Sequence, residues 1–269
     1  MLSNIIKVLK FYITQKSTFL SIIWFYRIFI KKSNARLIKT ISKFKIGNKL
    51  LVDFINDKSL VIDIGSHGGS WAFFLSKLVK QGQVICFEAL PVYANALKKV
   101  VFLSGTNNVV VHNYAVSHKS ENVFITWLDI KKNRLTGMTR ISTKTDQSYQ
   151  KLKVNGMSLD KFFLNSSIDN KHISFIKIDI EGAELFALKG GINTINKHKP
   201  IILMEVCIKH IKNFNYNVKD IYDFFYKINY VPIMAIHSSE NFVEKSKIDP
   251  NFNDDVVFVH KTILGKTNA

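Results

Sequence analysis

"VIDIGSHGGSWAFF", residues 61–74, decides the fold. A strand-length apolar run carries an aspartate, Asp63, and breaks into a turn containing Gly65, Gly68 and Gly69. Beyond the turn, Trp71, Phe74, Leu75, Leu78 and Val79 recur at i, i+3, i+4, i+7 and i+8, one stripe of a helix. Strand, glycine turn, helix is the start of a βα unit. Glycine at the turn lets the backbone bend sharply and approach a small molecule with no Cβ in the way.

Working outward, the alternation repeats. Strand-length apolar runs occur at Leu60–Ile64, Gln83–Phe87, Val109–His112, Ser174–Ile178, Ile201–Val206, Val231–Ile236 and Val256–His260. Helical stripes fall between the early ones: Tyr93, Ala96, Leu97, Val100 and Val101 form one, with Pro91 in a first turn that tolerates it. Leu185, Leu188, Ile192 and Ile195 predict a third helix. Ile221, Phe224, Phe225 and Ile228 predict a fourth, capped by Asn217. Alternating βα units with apolar strands make a doubly wound α/β sheet covered by helices on both faces. Between Asn122 and Asn155 the alternation fails. "FITWLDI" reads as an antiparallel strand, and a polar loop over 128–152 reads as a binding loop or lid. The last two apolar runs, separated by a polar loop with Pro250, suggest a hairpin that closes the sheet.

The composition, 47% hydrophobic over 269 residues, excludes a disordered chain and allows one large core. Two cysteines, Cys86 and Cys207, sit in apolar runs and fit buried thiols of a reducing compartment better than a disulfide framework. The net charge of +18 is unevenly placed: residues 1–50 hold eleven Lys or Arg and no acid. Two units follow from this, a basic amphipathic helical N-terminal extension over 1–50 and a main domain over 51–269. The apolar stretch 18–30 is interrupted by Arg27 and falls short of the about 20 residues a membrane span needs. Its Trp, Phe, Tyr and Ile between lysines suit peripheral membrane contact through residues 1–45, or packing on the domain's own sheet. The expected location is cytoplasmic, with such contact peripheral.

In a doubly wound sheet, ligands bind beyond the carboxyl ends of the strands at the switch point. The dinucleotide pattern requires glycine at 65, 67 and 70, and His67 and Ser70 break it. Asp63 at the first strand end repels a pyrophosphate and suits an ammonium or sulfonium. Glu88, at the end of the next strand, can accept both hydrogen bonds of a ribose diol. Together these describe a positively charged nucleoside without phosphates, S-adenosylmethionine. The competing reading makes Asp63 a helix cap and Glu88 a solvated strand end. A second constellation, "IKIDIEGAELFAL" at 176–188, places Asp179 and Glu181 two apart in an expected extended stretch, with Glu184 three residues on. Glu205 ends another strand. If the 174–178 strand lies beside the first, Asp179 and Glu205 flank the pocket. There, carboxylates could position or deprotonate a hydroxyl, or hold a divalent cation. Glu184 suits an ordinary helix cap equally well. No His, Cys and Asp cluster has zinc spacing, and His67, His112 and His210 carry less weight, although His210 lies just past the Glu205 strand.

The segments "VIDIGSHGGSWAFFL", "VICFEALP", "HNYAVS", "MSLDKFF", "IKIDIEGAELFALKGG" and "PIILMEV", in this order, resemble the FkbM family of S-adenosylmethionine-dependent methyltransferases over about residues 58–262. The run Asp179-x-Glu181-Gly182-x-Glu184, followed by Leu188, Lys189 and Gly190, is its most specific element. The resemblance implies a Rossmann-like methyltransferase sheet of seven strands, the last antiparallel, and methylation of hydroxyl oxygens of sugars or polyketides. It implies cofactor contacts from Asp63, Gly65, Gly68 and Glu88, with Asn113 and Ala115 near the adenine, and Asp179 and Glu181 at the reacting centre. Ser66 and His67 stand where the family generally has Ala-Asn, and the family's Phe-Glu-Pro is stretched to Phe87-Glu88-Ala89-Leu90-Pro91.

The expected function is methyl transfer from S-adenosylmethionine to a hydroxyl, of a sugar in a glycan or glycolipid. Asp63, Gly65, Ser66, His67, Gly68, Glu88, Asn113 and Ala115 would bind the cofactor, and Asp179, Glu181 and Glu205 would do the chemistry. Whether a metal takes part is left open. The basic charge prompts a rival, a nucleic-acid methyltransferase, but the sequence shows no recognised nucleic-acid-binding module, and the basic arm is rich in buried-type residues. A second rival is a non-catalytic cofactor-binding protein at a membrane.

Overall fold

The computed structural model of the chain describes residues 45–46, 49–129, 140–142, 149–165, 171–236 and 241–265. The N-terminal extension with its membrane-contact reading therefore lies outside the described residues, apart from its end. There Lys45–Ile46 and Lys49–Leu50 pair as antiparallel strands rather than continuing a helix, and Leu51–Phe54 follows as a 3-10 turn. Among the described residues, no helix is long and apolar enough to cross a membrane.

The βα units form where the spacing predicts them. They are β1 (Leu60–Ile64), α1 (Ser70–Leu78), β2 (Gln83–Phe87), α2 (Pro91–Leu103) and β3 (Val109–His112). A small second sheet follows: β4 (Ala115–Val116) lies parallel to β6 (Tyr149–Met157), which pairs antiparallel with β5 (Asn122–Asp129). Then come α3 (Leu159–Leu164), β7 (Ile173–Ile178), α4 (Glu184–Gly190), α5 (Ile192–His198), β8 (Ile201–Cys207) and α6 (Ile208–Ile211). The chain continues through α7 (Val218–Lys227), β9 (Tyr230–Ala235), α8 (Phe242–Ile248), β10 (Asn253–His260) and α9 (Lys261–Gly265).

The central sheet has seven strands in the order β9-β10-β8-β7-β1-β2-β3, and β10 runs antiparallel to both its neighbours. Successive residues of a strand face opposite sides. Val61 accordingly joins one core with Leu75, Val84, Leu97 and Phe175. Leu60, Ile62 and Ile64 join the other, with Ile176, Leu188, Met204 and Phe258. Both cores are covered by helices, so β1 is buried along its whole length. The chain order reverses at β1, which lies between β7 and β2, and this puts the switch point beyond Ile64.

Three expectations change. The third helix is two, because Gly191 interrupts it and the close packing there excludes side chains. A Cβ on Gly190 would meet the Ser117 carbonyl oxygen at 2.1 Å. The polar stretch expected as a loop over 128–152 ends in strand β6 from Tyr149, and Ile141 bridges to Ile125 of β5. In α1 and at its C-cap the fully buried residues are Ala72, Leu75 and Val79, while Trp71, Phe74 and Leu78 only flank the core. A small residue at 72 lets the helix sit close to the sheet. The terminal hairpin forms, with α8 inserted between its strands.

Candidate active site

A cavity of about 310 Å³ opens at the switch point, within the usual size of small-molecule sites (roughly 300–1,000 Å³). Its floor is the glycine turn after β1. Gly65 is left-handed at φ +83, and a Cβ there would meet the Asp179 carbonyl oxygen at 1.9 Å, so only glycine lets this turn press against the end of β7. The Gly65 and Ser66 amides donate to the Phe87 carbonyl, at 2.9 and 3.1 Å, which ties the turn to β2.

Glu88 follows β2 and lines the cavity. Its two carboxylate oxygens accept from the His67 and Leu90 amides, at 2.9 and 2.8 Å, and burial lifts its pKa to about 7. Each oxygen has a second lone pair, so the group can also receive ribose hydroxyls. His67 is itself left-handed at φ 43, a conformation that asparagine adopts readily, and its ring meets Tyr93 edge-on at 4.8 Å. Ala115 lines the wall beyond Glu88, together with Phe87, Tyr114, Val116, Ile125 and Ile141. The lining around Glu88 is mostly apolar and aromatic, with Arg140 beside Ile141, and this fits an adenosine.

Asp63, Ser66, Gly68 and Asn113 stand outside the lining. Asp63 is fully buried beneath the turn, and its charge partner is the Lys177 ammonium at 3.8 Å, not a ligand cation. Burial raises its pKa against that ammonium. Ser66 Oγ donates to the Asp63 carbonyl at 2.8 Å. Asn113 Nδ2 donates to the carbonyls of Glu88 and Ala89, at 2.8 and 2.9 Å, and so shapes the end of β2 from behind. Ser66 and Asn113 thus hold the turn and the strand end that touch the cavity.

The opposite end of the cavity is acidic: Asp179, Glu181 and Glu205 all line it. β7 pairs with both β1 and β8, which brings the three carboxylates together. The expected extended stretch is corrected here. β7 ends at Ile178, and Glu181 is left-handed at φ 58, so a turn, not strand alternation, aims it at the cavity. Glu184 holds that turn. Only 1% exposed, it accepts from the Ile180 and Gly182 amides at 3.0 and 3.1 Å, and burial lifts its pKa to about 8. The Tyr216 hydroxyl donates to the Gly182 carbonyl at 2.6 Å.

Two basic residues divide the acids. Lys177 Nζ donates to Asp179 Oδ2 at 2.9 Å and reaches the Gly65 carbonyl at 3.4 Å. Burial pulls the Lys177 pKa down, but Asp179 and Asp63 together carry it above its ordinary value. His210, on α6, donates from Nδ1 to Glu181 Oε2 at 2.9 Å and to Glu205 Oε2 at 3.3 Å. Hydrogen bonding to the Cys207 thiol and to both carboxylates lifts its pKa to about 12. The ligand atoms of Glu181, Glu205 and His210 lie within 4.8 Å of one another, a spacing that one cation could bridge. Burial raises the Glu181 pKa, which makes this carboxylate a better proton acceptor.

The sequence did not single out Lys177, and it gave His210 little weight. A lysine inside an otherwise apolar strand was a usable signal, since a buried ammonium must be paired. The meeting of His210 with Glu181 had no such signal, because it depends on how α6 packs. Arg140, which also lines the cavity, comes from the stretch expected only as a loop.

The FkbM methyltransferase domain model matches residues 63–232. Methyltransferase 1 of Beauveria bassiana (strain ARSEF 2860) is 20% identical over 147 residues, 50% of this chain and 59% of that protein. The crystal structure of methyltransferase FkbM from Methylobacillus flagellatus KT superposes with a TM-score of 0.52 at 19% identity, covering 82% of this chain and 47% of that one. The chain thus spans about half the length of these relatives, and the second shows a shared fold. The family match runs from Asp63 through the glycine turn, Glu88 and the acidic end to β9, the segment that builds the cavity. The chain belongs to the FkbM methyltransferase family, whose cofactor is S-adenosylmethionine.

Proposed function

We propose that this protein is an O-methyltransferase acting on a hydroxyl of a sugar in a glycan or glycolipid. The observation that carries the reading is the convergence of Asp179, Glu181 and Glu205 on the end of the cavity opposite the adenosine-like wall. When bound, the cofactor supplies a methyl group on a positively charged sulfur. An acceptor oxygen would displace the sulfur from that methyl carbon in line, the O–C bond forming as the C–S bond breaks and the hydroxyl proton passing to the protein. The protein holds the acceptor oxygen in the line of attack, where positioning alone supplies much of the acceleration. Glu181 receives the hydroxyl proton. One oxygen of Asp179 accepts from the Lys177 ammonium. The Asp179 charge, beside Gly65, offers a negative wall to a cationic ligand. Carboxylates accept readily from the hydroxyls of a polyol and repel a phosphodiester backbone, which favours a sugar over a nucleic acid.

The test is methylation of a panel of glycosides and oligosaccharides, with product methyl ethers identified by mass spectrometry. We expect Glu181→Gln to lower kcat/KM about 100-fold or more, the usual range for a lost general base. Full activity in that variant would remove Glu181 from the reaction. Methylation of RNA or DNA in place of any sugar would remove the acceptor class.

A further inference from the structure

The acidic end is more specific than a general base requires, and its geometry points to an acceptor bearing two adjacent hydroxyl groups. In this inference Glu181 and Glu205 each hold one hydroxyl of a vicinal diol, and His210 is the positioning residue that sets them side by side. The inference rests on the O-methyltransferase reading and narrows its substrate class.

Glu181 and Glu205 come from different elements, the turn after β7 and the strand β8, and each sends one oxygen to the same nitrogen, His210 Nδ1. Two carboxylates that share one donor are held in a fixed pair, where they would otherwise repel. Among the described residues none donates to the remaining oxygen, Oε1, of either glutamate. Both side chains keep some exposure, 16% and 18%, and both line the cavity. His210 is absent from that lining and acts from behind. The turn that carries Glu181 is held in place. Glu184 and Tyr216 hold the turn of Glu181, and a Cβ on Gly182 would meet the His210 carbonyl oxygen at 2.7 Å, so the turn packs directly on α6. Glu205 stands in register with Asp255 of β10.

Two neighbouring acceptors aimed at one cavity match two neighbouring donors. The adjacent hydroxyls of a sugar ring lie about one hydrogen-bond length apart, close enough for each carboxylate to take one. One hydroxyl passes its proton to Glu181 as its oxygen is methylated. The other, held by Glu205, fixes which oxygen faces the methyl group. A monohydroxylic acceptor leaves one carboxylate unpaired in a partly dry site, and a site built for a hydroxyl discriminates strongly against its absence.

Binding is measurable without turnover. Saturation-transfer difference NMR with methyl hexopyranosides that carry vicinal hydroxyls, and with the corresponding monodeoxy analogues, reads affinity directly. The wild type should bind the best diol at least tenfold tighter than either monodeoxy analogue. Glu205→Gln should reduce that preference to within threefold. His210→Ala should do the same, and His210→Gln, which keeps an N–H donor, should restore part of it. Circular dichroism confirms that each variant is folded. Equal binding of diol and deoxy sugars, no measurable binding of any diol, or a preference that survives Glu205→Gln overturns the inference. Loss of the preference on adding EDTA overturns it too, since a cation would then be the diol's partner. A diol preference in a protein that methylates none of these sugars would support the clamp and count against the transfer reading, so the two fail separately.

Discussion

Lys177 shows what one residue does for this site. It sits 4% exposed in the middle of β7, under the glycine turn, between Asp63 and Asp179. Removing one member of a buried ion pair leaves the other uncompensated, which typically costs about 3–5 kcal/mol. Lys177→Met should therefore lower the unfolding free energy by about that amount in urea denaturation. The double variant Lys177→Met with Asp63→Asn should recover a good part of it, and additive losses would contradict the pairing. Asp63 was visible in the sequence as an important acid, but its partner was not. The chemistry of "DIGSHGG" suits a ligand cation and a buried lysine equally, and only the register of β7 against β1, which places Asp63 opposite Lys177, decides between them. Glu88 carries a different lesson. Its position after β2 and its place at the cavity follow from the sequence, while its pKa of about 7 follows from burial. The folded state holds this proton more tightly than the unfolded chain. Glu88 therefore favours folding at low pH, and that contribution is lost as the pH rises to about 7.

At the scale of elements, the turn between β7 and α4 is the most informative. The run Asp179-x-Glu181-Gly182-x-Glu184 contains two kinds of acid that sequence spacing cannot separate. Asp179 and Glu181 face the cavity, whereas Glu184 is turned inward to hold two amides of its own turn. Glu184→Ala leaves both amides without that acceptor, and each buried unsatisfied group costs about 1–3 kcal/mol. We expect a loss of about 2 kcal/mol or more in thermal or chemical unfolding, together with lost activity. Glu184→Gln, which keeps the accepting oxygen, should be far milder, and equal losses would show that charge rather than hydrogen bonding matters there. The strands and helices of the main sheet were readable because apolar period and turn residues agree. The break at Gly191 was not, because the stripe from Leu185 to Ile195 continues through it; Gly190 and Gly191 pack against the Ser117 backbone and the Leu159 side chain, contacts that spacing does not announce. Strand β6 was hidden by its polar composition, which suits a small sheet partly open to water.

At the scale of the molecule, the sheet order brings two carboxyl-terminal strand ends with acids, β7 and β8, beside the glycine turn of β1. The doubly wound class implied that such a meeting point exists, and the family resemblance indicated which ligand it serves. The pairing of acids with Lys177 and His210 needed the folded chain. The charge of +18, concentrated in residues 1–50, prompts a separate expectation that these residues touch an anionic membrane surface. The intact protein should bind vesicles containing phosphatidylserine and release them as salt rises, with little binding to neutral phosphatidylcholine vesicles; equal binding to both would refute the contact. The cavity itself is tested most directly by calorimetric titration of S-adenosylmethionine into the wild type and Glu88→Ala, at pH 6 and pH 8. We predict saturable one-to-one binding to the wild type, tighter at pH 8, where Glu88 is ionised, than at pH 6. Glu88→Ala should weaken it about tenfold or more, the worth of hydrogen bonds to a charged group, and remove most of the pH dependence. No binding to the wild type, or the same affinity in both proteins, would contradict the assignment of this cavity to the cofactor.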